Sequence, residues 1–271
     1  MKLPSLKAVL LTPLVLFGLF YATGAILLAQ RDQVIIELAE SPSVPLEVAI
    51  LGASGTAGDG ILAAALASPD INRIQVITRR LTPRIQAGVD SGKIALTLHK
   101  DYLDYAEVLD QLSNVDAVFW AIGISSLGID EKTYGMIHVD FPMQFVKAWT
   151  QVSNKQDISF HFISSSDISE DSSAMWVREK IRAEKSLFGF AQGSKLRVIA
   201  YRPDYIGPTK QQAHIGQDLL YWFFKPVGAA VRAIQIGQAM IDVSLRGTIV
   251  ENGSKLSTQK IVRHSRAYQR R

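Results

Sequence analysis

The chain has no cysteine among its 271 residues, which removes a disulfide framework, a thiolate metal site and a cysteine nucleophile together. It also lacks a Gly-x-Ser-x-Gly after an apolar run, so the nucleophile elbow of serine hydrolases is missing. Its five histidines, His99, His138, His161, His214 and His264, are scattered without ligand spacing, and no metal is expected. No basic patch is interleaved with aromatics, which argues against nucleic acid as a partner. Charge itself is missing in two places: none falls between Lys7 and Arg31, and no acid follows Glu251.

What is present describes a folded chain. With 48% hydrophobic and 20% charged residues it is too apolar for wholesale disorder, and 10 prolines and 19 glycines are too few for a collagen-like repeat. The length suits one or two domains. The net charge of +4 is unevenly placed. Lys255, Lys260, Arg263, Arg266, Arg270 and Arg271 all follow Glu251, and without them 23 bases face 25 acids. The body is near neutral, and residues 254–271 read as a basic tail, either a solvated terminus or a contact for anionic lipid.

The charge-free segment Ala8–Gln30 holds 23 residues rich in Leu, Val, Phe, Ile and Ala. As a helix it would reach about 35 Å, enough for a hydrocarbon core of ~30 Å. Residues 1–30 are therefore expected to be one transmembrane helix, a single-pass anchor. The competing reading is a cleaved signal peptide, with Lys2 and Lys7 as its basic region and Ala22-Thr23-Gly24 as small cleavage positions, although its apolar stretch would be unusually long. The flanking charge favours an amino terminus in the cytoplasm and an exported body, whereas a body that draws on a cytoplasmic metabolite pool would be kept on the cytoplasmic face. The second consideration is preferred. Residues 31–45, with Pro42 and Pro45, read as a linker.

Beyond Pro45, short apolar runs alternate with helical periodicity, the pattern of βαβ units on a parallel sheet. Strands are expected at Val48–Leu51, Ile74–Ile77, Ile94–Leu98, Ala117–Ile122, Ile158–Ile163 and Leu196–Tyr201. Helices are expected at Gly58–Ala67, Tyr105–Leu112, Phe141–Gln151 and Arg178–Phe190. The fold class is α/β, a doubly wound, Rossmann-like parallel sheet over residues 46–253. The pattern turns irregular after Pro208, where Leu219–Phe224 (LLYWFF) reads as core or as packing under a lid. A membrane-apposed surface or a pocket wall are the alternatives.

The most informative stretch is Leu51-Gly52-Ala53-Ser54-Gly55-Thr56-Ala57-Gly58, a strand that runs into a glycine-spaced turn and then an apolar helix. Gly52 permits a tight turn, Gly55 lets backbone approach a pyrophosphate, and Gly58 allows close helix-to-strand packing. The helix amino terminus then presents unpaired N–H groups to phosphates. At the end of the second strand, where an acid would bind the ribose hydroxyls of NAD, the chain has Thr78-Arg79-Arg80. Two guanidinium groups and no acid favour a 2′-phosphate, hence NADP(H) over NAD(H), with Ser54 and Thr56 as further donors.

The GxxGxxG turn resembles that of extended and atypical short-chain dehydrogenases/reductases. The resemblance continues in register through Asp101, Ala121-Ile122-Gly123, Ser164-Ser165-Ser166, Lys180 and Arg202-Pro203. It covers nearly all of Val48–Gly207, and the short gap between the serines and Lys180 is similar to the branch of Tat-interacting-protein-like oxidoreductases. The resemblance implies a nicotinamide dinucleotide, with Asp101 and Tyr102 near the adenine. It further implies that Ala121, Ile122, Gly123, Lys180, Arg202 and Pro203 are cofactor contacts and that Lys180, Ser164 and Ser165 are catalytic. One position departs from the family. Its Tyr-x-x-x-Lys pair is here Trp176-Val177-Arg178-Glu179-Lys180, and an indole N–H cannot exchange a proton near neutral pH. Two readings stay open. One is a carbonyl oxidoreductase or epimerase whose proton comes from Ser164–Ser166, Asp167 or water held by Lys180. The other is a catalytically silent dinucleotide-binding scaffold with an unidentified partner.

Overall fold

The computed structural model describes residues 6–31, 35–209 and 215–271. The first residues of the expected anchor, residues 32–34 of the linker, and His214 lie outside them. Strands β1 (Leu46–Leu51), β2 (Ile71–Thr78), β3 (Ile94–Leu98), β4 (Ala117–Trp120), β5 (Ile158–Ile163) and β6 (Leu196–Arg202) match the six expected runs to within a few residues. Together with β9 (Lys255–Ser257) they form one sheet in the order β3-β2-β1-β4-β5-β6-β9, parallel throughout. A small parallel pair joins β7 (Tyr205–Gly207) to β8 (Ala230–Arg232).

Both faces of the sheet are covered, which is why its strands read as nearly continuous apolar runs. On β1, Val48 and Ile50 point into one core with α2 (Thr56–Ala67), α8 (Ala233–Leu245) and α9 (Thr258–Gln269). Ala49 and Leu51 point into the other, with the 3₁₀ segment Ala106–Leu112, α5 (Phe141–Val152) and α6 (Met175–Ala191). The remaining helices are α1 (Leu6–Arg31), α3 (Pro83–Asp90), α4 (Glu131–Gly135) and α7 (Ile215–Phe224). Strand order reverses between β1 and β4. A crevice opens beyond the carboxyl ends of those two strands, the place where such sheets hold ligands.

Three expectations need correction. The basic tail is part of the domain, because Lys255–Ser257 forms the seventh strand against β6 and α9 packs against α8, burying Ile261, Ser265 and Ala267. Its last residue is fixed too: Arg271 pairs with Asp70 at 2.9 Å. The apolar run Leu219–Phe224 is not core. Only Tyr221 is buried, while Leu219 and Trp222 are 70% and 59% exposed. Finally, among the described residues no helix is long and apolar enough to cross a membrane. In α1 the uninterrupted run of described side chains is Leu14–Ala29, about 24 Å of helix. The expected transmembrane anchor is therefore not shown by the fold.

The C-terminal correction has a direct check. Truncation after Gly253 removes the edge strand and uncovers the α8 face, so the shortened chain should lose its cooperative thermal transition. A truncated protein that melts like the full chain would restore the solvated tail.

Candidate functional site

The turn between β1 and α2 is built by close backbone contacts. Gly52 has φ +85°, and a Cβ there would stand 2.6 Å from the Ala121 carbonyl carbon. A Cβ on Gly58 would come within 2.0 Å of the Gly52 carbonyl oxygen. Gly55 differs. Its backbone is extended, and a Cβ there would meet only the Gly52 oxygen, at an ordinary 3.5 Å. Nothing in the fold requires glycine at 55, so the vacancy faces the crevice. Gly55 also caps α2 without a side-chain hydrogen bond, leaving the first-turn N–H groups, from Thr56 and Ala57 onward, open to an anion.

A single cleft at this turn is lined by Gly52, Ser54, Gly55, Thr78, Arg79, Arg80, Tyr102, Ala121, Ile122 and Gly123. All ten are residues singled out from the sequence. Arg79 and Arg80 are exposed at its mouth and have no ion-pair partner among the described residues. Thr78 is buried and bonds the Arg80 backbone, which fixes the bend that presents the two guanidinium groups. Tyr102 is buried, and its phenol is pushed up by burial and partly lowered again by Arg79. Asp101 is exposed, and its carboxylate caps its own turn by accepting from the Leu103 N–H.

A second cluster lies at the carboxyl ends of β5 and β6. Lys180 Nζ donates to the Ile163 carbonyl at 3.1 Å. Burial lowers the lysine to about 8, opposed by the Glu184 carboxylate. Glu184 is the hub: it is buried, accepts from Ser164 Oγ at 2.7 Å and from Arg202 Nε at 2.8 Å, and lies 3.8 Å from Lys255. Arg202 and Pro203 thus do not line the cleft. The arginine fixes a buried carboxylate, and the Ser164 hydroxyl is likewise committed to Glu184. Ser165 is half-buried, with no side-chain hydrogen bond among the described residues. Trp176 precedes Lys180 by four residues in α6, on the same helix face, and is half-buried.

The sequence reading passed over Glu184, His138 and Tyr134. His138 sits in a π-helical turn, Met136–Asp140, where its Nε2 lies 3.3 Å from the Ile124 backbone N–H and its ring blocks any Cβ on Gly123. Burial, with the Lys180 charge second, pushes it down to about 3. It is a neutral imidazole tilted against the Tyr134 ring at 4.1 Å, and that phenol is pushed up to about 12 by burial and by Glu179. The π-helical turn at a crevice was the one signal available, and it is not readable from spacing. A larger cleft, about 640 Å³, lies outside α2 and α3. Its charges are already engaged, Asp59 with Arg84 and Thr209, Lys93 with the Leu66 and Ser68 carbonyls. Among the described residues no cluster could hold a metal ion.

The sheet order, the crevice at its reversal and the glycine turn define a doubly wound dinucleotide-type fold. More closely, it is the fold of short-chain dehydrogenases/reductases. An oxidoreductase of that family from Burkholderia thailandensis superposes with a TM-score of 0.63 at 17% identity, covering 80% of this chain and 92% of that one. A UDP-glucuronic acid 4-epimerase from Bacillus cereus, solved in complex with NAD, gives 0.60 at 14% identity, covering 78% of each chain. In sequence, the chain is similar to "Protein fmp52, mitochondrial" of Emericella nidulans, 25% identical over 197 residues, 71% of this chain and 80% of that protein. No protein-family model matches the chain.

The glycines separate structural need from ligand need. Gly58→Ala should cost about 3 kcal/mol or more, because only backbone can yield to the new methyl. Gly55→Ala should stay within about 1 kcal/mol of the parent. Chemical denaturation of both variants measures the contrast, and equal losses would remove the distinction.

Proposed function

We propose that the cleft binds a nicotinamide dinucleotide, NADP(H) in preference to NAD(H), and that the chain is an oxidoreductase whose proton donor is not a tyrosine at position 176. The observation that carries this reading is the space beside Gly55, next to a helix end without a side-chain cap and two arginines that have no ion-pair partner among the described residues. A backbone with room for a pyrophosphate and charge for a 2′-phosphate meets at one crevice. Gly52, Ser54, Gly55, Thr56, Ala57 and Gly58 would hold the pyrophosphate, and Thr78, Arg79 and Arg80 the 2′-phosphate. Asp101 and Tyr102 would border the adenine, and Ala121, Ile122 and Gly123 the ribose of the nicotinamide. When bound, the dinucleotide supplies or accepts a hydride. Lys180 would hold a ribose hydroxyl, whereas Arg202 acts through Glu184 rather than by contact, and Pro203 lies outside the cleft lining.

The proton must come from this chain. Trp176 cannot give it, His138 is neutral down to about pH 3, and Tyr134 holds its proton up to about pH 12. Lys180 is the group near the crevice whose ammonium ionises close to neutrality. One of its three donors is taken by the Ile163 carbonyl, which leaves two to protonate a carbonyl oxygen directly or through water. Ser165 would orient that oxygen. The Ser164–Glu184 bond favours a second reading, a silent dinucleotide-binding scaffold, because it withdraws a hydroxyl from the site. The N-terminal helix we read as membrane-associated, since its described side chains over residues 14–20 are all exposed, while Tyr21 and Leu28 face the domain. By analogy with the relative named mitochondrial, we infer a mitochondrial membrane as its setting.

Calorimetry with each dinucleotide tests the binding claim. Arg79→Ala and Arg80→Ala should each weaken NADPH by about 10- to 100-fold, the worth of a charge-assisted bond, and change NADH by less than about 2-fold. Gly55→Ala should abolish both. Tighter NADH than NADPH in the parent would reverse the cofactor preference, and no heat with either would remove the function.

Turnover decides between the two readings. Reduction of generic carbonyl compounds should fall as pH rises through about 8, where the Lys180 ammonium is lost, and the decline should vanish in Lys180→Met together with the activity. Activity absent in the parent and gained in Trp176→Tyr would establish the silent scaffold.

A further inference from the structure

Two segments nearly two hundred residues apart in sequence build one apolar surface. In α7, Ile215, Leu219, Trp222 and Phe223 are exposed and fall at the spacing of one helix face. The opposite face is fixed to the domain: Tyr221 is buried under the Arg232 guanidinium, which lies 3.7 Å from the ring centroid. Helix α1 docks beside this stripe. The Tyr21 hydroxyl donates to the Phe223 carbonyl, the two rings stack at 5.4 Å, and Leu28 packs onto Gly228. Along α1 the side chains of Leu14, Val15, Leu16, Phe17, Leu19 and Phe20 are all more than half exposed. Six consecutive and near-consecutive positions point in every direction around a helix. One flat protein partner could cover only part of that circumference, whereas an apolar solvent covers all of it.

The rim of this surface is basic. Lys225 Nζ stands 4.7 Å from the Trp222 ring, and a cleft of about 250 Å³ beside it is lined by Leu28, Lys225, Gln259, Arg266 and Gln269 among others, with no acid. The nearby acid of α7, Asp218, is paired with Arg232. An apolar stripe carrying Trp at its edge and cations at its border is the pattern of a helix lying in a bilayer interface.

We propose that the joint α1–α7 face seats on an anionic phospholipid bilayer. Helix α7 lies in the interface, with Leu219, Trp222 and Phe223 among the acyl chains and Lys225 at headgroup phosphates. The proposal deepens the membrane reading of α1 and rests on it. The full chain is floated with vesicles of phosphatidylcholine alone and of phosphatidylcholine with phosphatidylserine. Stronger flotation with the anionic vesicles is expected, weakened about ten-fold or more by Lys225→Glu. On those vesicles the amides of residues 215–224 should be protected from hydrogen exchange. Tryptophan emission should shift to the blue, and Trp222→Phe should remove the shift. If the chain floats while residues 215–224 exchange as in the free protein, the role of α7 fails and the reading of α1 stands. If the chain floats with neither vesicle, both fail. A dimer that Leu219→Glu splits, with vesicle binding unchanged, would show that the face meets a second copy of the chain and overturn the proposal.

Discussion

The contact on which the site depends is that of the Gly58 position with the Gly52 carbonyl. With any side chain at 58, the first turn of α2 would be driven away from the end of β1, because a Cβ there overlaps a backbone oxygen at 2.0 Å. The same turn is held from the other side, where Gly52 lies against the Ala121–Ile122 backbone. These two approaches set how near the helix amino terminus comes to the point where strand order reverses. A dinucleotide crevice needs that nearness, since the partial positive charge of a helix end acts only over its first turn. Gly55 then contributes by being small without being needed to fold.

A buried carboxylate organises the second half of the site. Glu184 is 3% exposed, and a lone carboxylate at such depth would be costly. It is stabilised by the Arg202 guanidinium on both oxygens and by the Ser164 hydroxyl. Its charge raises the Lys180 ammonium, although burial outweighs it and leaves the lysine lowered. Arg202 at the end of β6 and the first serine after β5 therefore serve an internal ion pair, and their effect on the crevice reaches it through Lys180. The imidazole of His138 shapes the same end by steric means, closing off the space beside Gly123.

Much of the sheet was legible because its central strands are buried on both faces, so Ala117–Trp120 and Ile158–Ile163 announce themselves as apolar runs whatever their neighbours. The ten cleft residues were legible for a related reason: a turn between strand and helix places its own residues, and strand ends at the switch point follow from topology. What tertiary contact decides was not. Strand β9 is three residues with one apolar side chain, Leu256, and it exists because the edge of β6 accepts it. In α9, small residues such as Ser265 and Ala267 are buried while Lys260 and Arg266 are exposed. A count of charges therefore reads that helix as a solvated tail. Ser164 and Arg202 kept their place in the sequence pattern, but their partner Glu184, twenty and eighteen residues away, redirected their chemistry.

The exposed α7 face and the crevice are joined by a series of contacts. After β7 the chain returns to α2, where the Thr209 hydroxyl donates to Asp59 in the first turn of that helix at 2.7 Å. Arg84 neutralises Asp59, so the helix end keeps its attraction for an anion despite an acid one residue past Gly58. From there α7 is tied back by Arg232, which pairs with Asp218 and stacks on Tyr221, while β8, ending at Arg232, pairs with β7. Among the described residues these links are a hydrogen bond, ion pairs, a cation–π contact and a strand pairing. A surface that seats through Leu219 and Trp222 consequently fixes the direction in which the crevice faces. That orientation is set by the fold and needs no further contact with the bilayer.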